Sequence, residues 1–191
     1  MKFVRSLVLI LAVTSAVLAA DDWKMDRSHS SVGFSVKHLV ISDVAGQFKD
    51  FDLRLTATKE DFSDLTLEGT IKTASITTDN ERRDGHLRSE DFFNAEKFPS
   101  ISFKSTSTKK VGDGQFKVEG DLTIRDVTKK VTWDVTYAGS AKAWGKTISA
   151  WRASVAINRF DYDLKWDKKI EAGGLVVGEM VTISVNAEFA K

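Results

Sequence analysis

The sequence predicts an all-β protein, an eight-stranded antiparallel up-and-down barrel with one short helical segment near residues 80–93. Three observations carry this. From Trp23 onward the apolar residues recur with period two. The links between the alternating runs are short and turn-like, which makes successive strands antiparallel neighbours. Strands that are apolar on one face must hide that face and protect two sheet edges, and closing the sheet on itself does both. A two-sheet sandwich is the rival arrangement, because it too buries one face of each sheet.

The strands follow in chain order. In the first, Val32, Phe34, Val36, His38 and Val40 share one face. Phe51, Leu53, Leu55 and Ala57 form the second, and Leu65, Leu67, Gly69 and Ile71 the third. Ile101, Phe103 and Ser105 mark the fourth, and Phe116, Val118, Gly120, Leu122 and Ile124 the fifth. Val131, Trp133, Val135 and Tyr137 make the sixth, Trp151, Ala153, Val155 and Ile157 the seventh, and Val181, Ile183, Val185, Ala187 and Phe189 the last. Strict alternation places each set on one side of a pleated strand. The turns are read at Gly112-Asp113-Gly114, at Arg125-Asp126-Val127 and from Gly139 to Gly145. The apolar parity slips between Phe48 and Phe51 and again between Ile71 and Ile76, as bulges would make it do where long strands bend around a closed sheet. The segment 79–99 breaks the pattern. It is charged, and residues 80–93 read as a short amphipathic helix anchored by Phe92 and Phe93. Pro99 precedes the next strand, a position a strand tolerates.

The first twenty residues are unlike the rest. Lys2 and Arg5 precede an apolar run from Leu7 to Leu18 that ends in Ala19 and Ala20 before Asp21-Asp22. A run of about a dozen residues is short of the ~20 a spanning helix needs, so it reads as a secretory signal peptide over residues 1–20, cleaved after Ala19 or Ala20. Residues 21–191 then form one domain, periplasmic or secreted, with no later segment suited to stable membrane insertion. Without Lys2 and Arg5, 26 basic side chains face 27 acidic ones, a net charge near −1 that offers no field for nucleic acid. There are no cysteines, so the core holds the fold without disulfides.

The motifs have a recognisable order. Asp26-Arg27-Ser28-His29-Ser30 leads into Val32-Gly33-Phe34-Ser35-Val36-Lys37-His38-Leu39. Gly46-Gln47-Phe48 and Ser75-Ile76-Thr77-Thr78 follow, then Arg82-Arg83-Asp84-Gly85-His86-Leu87-Arg88-Ser89 with Asp91-Phe92-Phe93. Next come Phe98-Pro99-Ser100-Ile101-Ser102-Phe103-Lys104-Ser105-Thr106, Gly120-Asp121-Leu122-Thr123-Ile124, Val127-Thr128-Lys129 and Ile157-Asn158-Arg159. In this order the chain, from Asp26 to Phe189, resembles the YceI-like family, exported polyisoprenoid-binding proteins with a lipocalin-like barrel. It departs from the family at Asp126, where Gly is usual, and at Phe160-Asp161-Tyr162-Asp163, where the family usually runs Ser-Asp-Phe-Gly. The resemblance implies a tubular cavity for a long-chain isoprenoid or similar amphipathic lipid, with a quinone or a prenyl phosphate as candidates. It also implies a homodimer.

Burying apolar carbons yields about 0.8 kcal/mol each, so the tail of such a ligand dominates affinity and the head sets orientation. The inward positions expected to touch the tail are Phe34, Val36, Phe103, Val118, Trp133, Val135 and Trp151, with Val181, Ile183 and Val185 on the last strand. Small inward residues (Gly69, Gly120, Ala153, Ala187, Ser105) either leave room or match the bulk of Trp133, Trp151 and Phe103. His38 shares the inward face and is either a hydrogen-bonded core histidine or a contact to the head group. Arg83 and Asp84 are expected to pair and pin the helical segment. Alternatively, Arg83, His86 or Arg88 binds an anionic head at the mouth. No catalytic residue, metal or cofactor is assigned. A hydrolase using His86 or His38 with a carboxylate remains an alternative, although no G-x-S-x-G motif, cysteine or H-E-x-x-H spacing supports it. A ligand-free interaction module is the other.

Overall fold

The computed structural model describes residues 21–171 and 173–191, so the signal peptide read over residues 1–20 lies outside the described residues. The elements are β1 (Asp21–His38), β2 (Ser42–Phe48), β3 (Phe51–Ala57), β4 (Thr66–Lys72), β5 (Ile76–Thr77), α1 (Glu81–Arg88), β6 (Ser100–Gly112), β7 (Gln115–Ile124), β8 (Val127–Ala143), β9 (Lys146–Asn158) and β10 (Val177–Ala190). All pairings are antiparallel. β1 pairs with β10 on one side. On its other side it pairs with β2 and with β3. Thus β2 and β3 form one broken stave, and β4 and β5 the next. With β6 to β10 these staves and β1 close a barrel of eight among the described residues. The β1–β10 seam removes the free edges that a sandwich would keep.

The two breaks fall where the apolar parity slips. At Lys49-Asp50 and at the 3-10 turn Thr73–Ser75 the chain leaves the ladder, and the two breaks bond each other. Lys49 N–H donates to Ser75 O over 3.1 Å and Lys72 N–H to Asp50 O over 2.9 Å. Beyond each break the inward parity resumes with Phe51 and Ile76, both buried.

Three differences from the sequence reading have local causes. Val40 is not in a strand, because β1 stops at His38. Leu39, Val40 and Ile41 make the turn, the first two at φ 51° and 68°, and the chain returns as β2, which the alternation did not mark as a strand. The stretch from Gly139 to Gly145 is mostly strand, bulged at Gly139 (φ 132°). The turn itself is only Trp144-Gly145. The helix is the eight-residue α1, capped by the Asn80 side chain, which accepts from Arg83 N–H over 3.0 Å. After Arg88 the chain folds into turns, with Phe93 N–H donating to Leu87 O over 3.0 Å.

Asp126 and Asp163 sit at φ 60° and 59°, in the left-handed region that glycine adopts without strain. Asp is among the residues that tolerate this region, so these substitutions keep the turns.

Candidate functional site

The inward faces enclose a cavity of ≈ 180 Å³ along the barrel. Phe34 and Val36 of β1 face Ile183 and Val181 of β10 across the seam, with Val185 beside them. Phe103, Trp133, Val135 and Trp151 complete the opposite wall. These nine expected tail contacts therefore share one void. Phe34, Val36, Phe103, Val181, Ile183 and Val185 are only half-buried although they point inward. Their residual surface faces the lumen, which is how a cavity differs from a packed core. Leu53, Leu67, Ile71 and Ala153 belong to the same wall, as their alternation foretold.

Val118 is fully buried but lies outside this wall, packed at the register position opposite Trp133. His38 is also outside it, half-buried beside the turn that ends β1. Three glycines serve as seats. A Cβ at Gly46 would overlap the Phe34 ring. At Gly120 it would stand 2.5 Å from Phe103 Cζ, and at Gly69 3.2 Å from Leu53 Cδ2. Each glycine accommodates a neighbouring large side chain, whereas Ala153, also small, fronts the void itself.

The two ends differ. At one, Phe62 reaches in from the β3–β4 loop. Its ring lies 4.9 Å from Trp151 at 90°, 5.0 Å from Tyr137 and 6.2 Å from Trp23. This aromatic cluster plugs that end. At the other, α1 and the segment after it supply Leu87, Phe92 and Phe93 to the wall, and the 159–177 segment supplies Leu164 and Val177. Val36, Leu87, Phe93 and Val177 keep partial exposure there.

Arg159, which the sequence marked only as part of a motif, is the buried cation of the wall among the described residues and is 3% exposed. Its Nε donates to Gly178 O at 2.9 Å. Nη2 donates to Trp166 O at 2.7 Å and to Val177 O at 3.0 Å, and Nη1 donates to Leu164 O. Burial lowers its pKa against the opposing fields of Glu179 and Asp167. The guanidinium is spent on strapping the 159–178 segment to the barrel. Arg54, Glu68 and Arg152 also border the void, but each alternates with inward residues and is itself exposed.

The expected Arg83–Asp84 pair does not form. Asp84 is buried and accepts from Thr77 Oγ1 (2.9 Å), Thr78 N–H (2.8 Å) and Thr78 Oγ1 (2.5 Å). Burial pushes its pKa up, but these bonds and the Arg88 charge outweigh it, so the carboxyl titrates below its usual value. Arg83 binds Thr78 from the other side, through Thr78 Oγ1 (2.7 Å) and Thr78 O (3.0 Å). Helix and barrel are thus joined through Thr78. Arg88 donates to Ile76 O at 3.3 Å. His86 Nε2 meets Asp91 Oδ2 at 2.8 Å, and its ring stands edge-on to Phe92 and Trp166. None of Arg83, His86 and Arg88 lines the void. The His86–Asp91 contact has the geometry of a base and its orienting acid, yet among the described residues no side-chain hydroxyl bonds the ring.

On the outer face of the seam, Asp26, His29 and Glu188 bring one ligand-type atom each to within 4.8 Å of one another. His29 Nδ1 bonds Asp26 Oδ2 at 2.9 Å, and this bond, with the Asp26 charge, raises the His29 pKa. Glu188 alternates with the lumen residues Ala187 and Phe189, and the group spans the bulge between Asp26 and Ser31 on the outer side of the strand pair.

Comparison with known proteins agrees with this geometry. The family model of the YceI-like domain matches residues 23–189. UPF0312 proteins of Staphylococcus aureus are 38% identical over 171 residues, covering 88% of this chain and 97% of theirs. The crystal structure of a Campylobacter jejuni YceI protein aligns with TM-score 0.70 at 32% identity, over 87% of this chain and 95% of that one. Burkholderia cenocepacia BcnA aligns with TM-score 0.74 at 21% identity, over 86% and 99%. A polyisoprenoid binding domain from Saccharophagus degradans, implicated in plant cell wall breakdown, aligns with TM-score 0.61 at 13% identity, over 90% and 98%. The last two likenesses show the fold.

Proposed function

This chain belongs to the YceI-like family, and from that premise we propose that it binds and carries a long-chain isoprenoid or similar amphipathic lipid in its lumen. The observation that carries this reading is the axial void walled by apolar side chains, whose inward cation is already saturated. An apolar chain entering it exchanges water contact for wall contact at about 0.8 kcal/mol per carbon. The similarity in fold to a polyisoprenoid binding domain supports the ligand class.

The wall also bears on the head group. With Arg159 committed to backbone carbonyls, a diphosphate inside the lumen would be an unpaired buried charge, which is strongly unfavourable. A quinone or alcohol head therefore suits the lumen, and an anionic head would stay at the rim. On the measure by which the void is ≈ 180 Å³, one water takes about 10–15 Å³, so the resting lumen seats roughly a dozen or more water-sized groups. Methylenes are of similar bulk. Longer tails must move wall side chains or emerge from the barrel.

We place the protein in the periplasm or outside the cell, its leader removed after Ala19 or Ala20. Among the described residues no helix is long and apolar enough to cross a membrane. The test is extraction of protein purified from its host with organic solvent, followed by mass spectrometry. A prenyl or acyl species in stoichiometric amount is expected. An empty extract, together with no uptake of added farnesol or menaquinone, would refute the proposal.

A further inference from the structure

The turn between β1 and β2 breaks two rules at once. Leu39 and Val40 adopt φ 51° and 68°, a conformation that tight hairpin turns normally give to Asn or Gly. For a β-branched residue such as Val40 it is a clear outlier. Ile41 N–H closes the turn on His38 O at 3.2 Å. The same turn is also apolar and exposed: Leu39, Val40 and Ile41 are 37%, 62% and 86% accessible. Folding gains nothing from either feature. The sequence maintains a strained apolar tip in water, which points to something that covers it.

The position of the tip says what that is. Val36, two residues before His38, lines the lumen, and so does Val177, the register partner of His38. Leu39 N–H donates to Val176 O at 2.9 Å, and Val40 packs against Gly174. The tip therefore stands beside the end of the cavity opposite the Phe62 plug, where the wall keeps partial exposure. We propose that Leu39, Val40 and Ile41 dip into the surface of a lipid bilayer, holding the open end of the lumen against the membrane. This rests on the lipid-carrier reading. A carried tail that crossed water would lose its burial carbon by carbon, whereas a mouth seated in the bilayer lets it slide across.

Two observations favour a bilayer over other occupants. Three tip side chains offer on the order of 300 Å², about half of the ~600 Å² a side that a stable protein interface needs, so a second copy does not suffice. The charges nearby balance, so a strongly charged partner is not called for. Lys37 pairs with Asp43 at 2.9 Å and Lys165 with Asp163 at 2.6 Å, while Lys168 and Lys169 lie among Asp167 and Glu171. Apolar insertion, little affected by salt, is the mode this surface suits.

The experiment is co-sedimentation of the purified protein with phosphatidylethanolamine–phosphatidylglycerol vesicles, comparing the wild type with the double variant Val40→Asn, Ile41→Ser. Asn suits the left-handed turn, so the variant should melt at or above the wild-type temperature. Neither residue lines the lumen, so farnesol binding in solution should be unchanged. Vesicle partitioning of the wild type should fall at least tenfold in the variant and change less than threefold between low and high salt. Equal partitioning of the two proteins, partitioning abolished by salt, or a tip-dependent dimer in sedimentation velocity without vesicle binding would each overturn the proposal. Vesicle binding by a protein that takes up no lipid would refute the carrier reading and leave the tip's docking standing.

Discussion

Phe103 lies over Gly120 across the β6–β7 pair, so close that a Cβ on Gly120 would stand 2.5 Å from Phe103 Cζ. The glycine is the seat of the ring. The ring in turn stands 5.7 Å from Trp133, at 63°, and both form the lumen wall. The bore of the barrel is therefore set by a backbone position that carries no side chain.

Gly120→Ala should destabilise the protein by about 1–3 kcal/mol, the range for overpacking a core. The new methyl would overlap both Phe103 and the carbonyl of Lys104, and the second cannot swing away. Chemical denaturation measures this. An unchanged midpoint would mean that the strands part easily there.

Ala153→Phe separates void from core. Ala153 is half-buried and lines the lumen, so a larger side chain enters empty space rather than a packed layer. We expect near-wild-type stability and at least a tenfold loss of farnesol affinity, read from tryptophan fluorescence. A large drop in stability with binding retained would place the free space elsewhere.

Arg159→Met removes the donors to the carbonyls of Leu164, Trp166, Val177 and Gly178. Several buried acceptors lose their partners together, at roughly 3 kcal/mol or more. Hydrogen exchange should show the 159–178 segment opening ahead of the barrel. Uniform protection in the variant would contradict the strap.

The Asp84 site should make the fold acid-sensitive. Its folded pKa lies below the ordinary carboxyl value. Its contribution is therefore complete above the unfolded pKa, ordinarily near 3.9, and is lost as pH falls through the folded value. Asp84→Asn should cost about 2 kcal/mol at neutral pH and flatten this acid limb, because an amide does not titrate and accepts the Thr78 bonds less well. A variant with the same acid limb as the wild type would show that other carboxyls control it.

The barrel was legible because burial on one face writes itself into each strand. Val32, Phe34 and Val36 announce the inward side of β1, and Val181, Ile183 and Val185 that of β10. Parity slips located both broken staves. The ends of the site were not legible. Phe62 plugs the lumen from a loop in a left-handed conformation (φ 57°), and no period marks it. Arg159 is inward because carbonyls of the irregular segment after it and of the start of β10 receive it, a solution that alternation cannot encode. The pairing of Arg83 with Asp84 failed because Thr77 and Thr78, neutral in sequence, satisfy the buried carboxylate instead.

The lumen itself is tested most directly by titrating the intact protein with geraniol, farnesol, geranylgeraniol and solanesol, with Ala153→Phe alongside. Each isoprene unit adds about five carbons, roughly 4 kcal/mol of gross burial. We expect affinity to climb with each unit until the void is full and then level off, with the variant levelling at a shorter chain. No binding across the series, or identical curves for the two proteins, would contradict a lipid chain held inside the barrel.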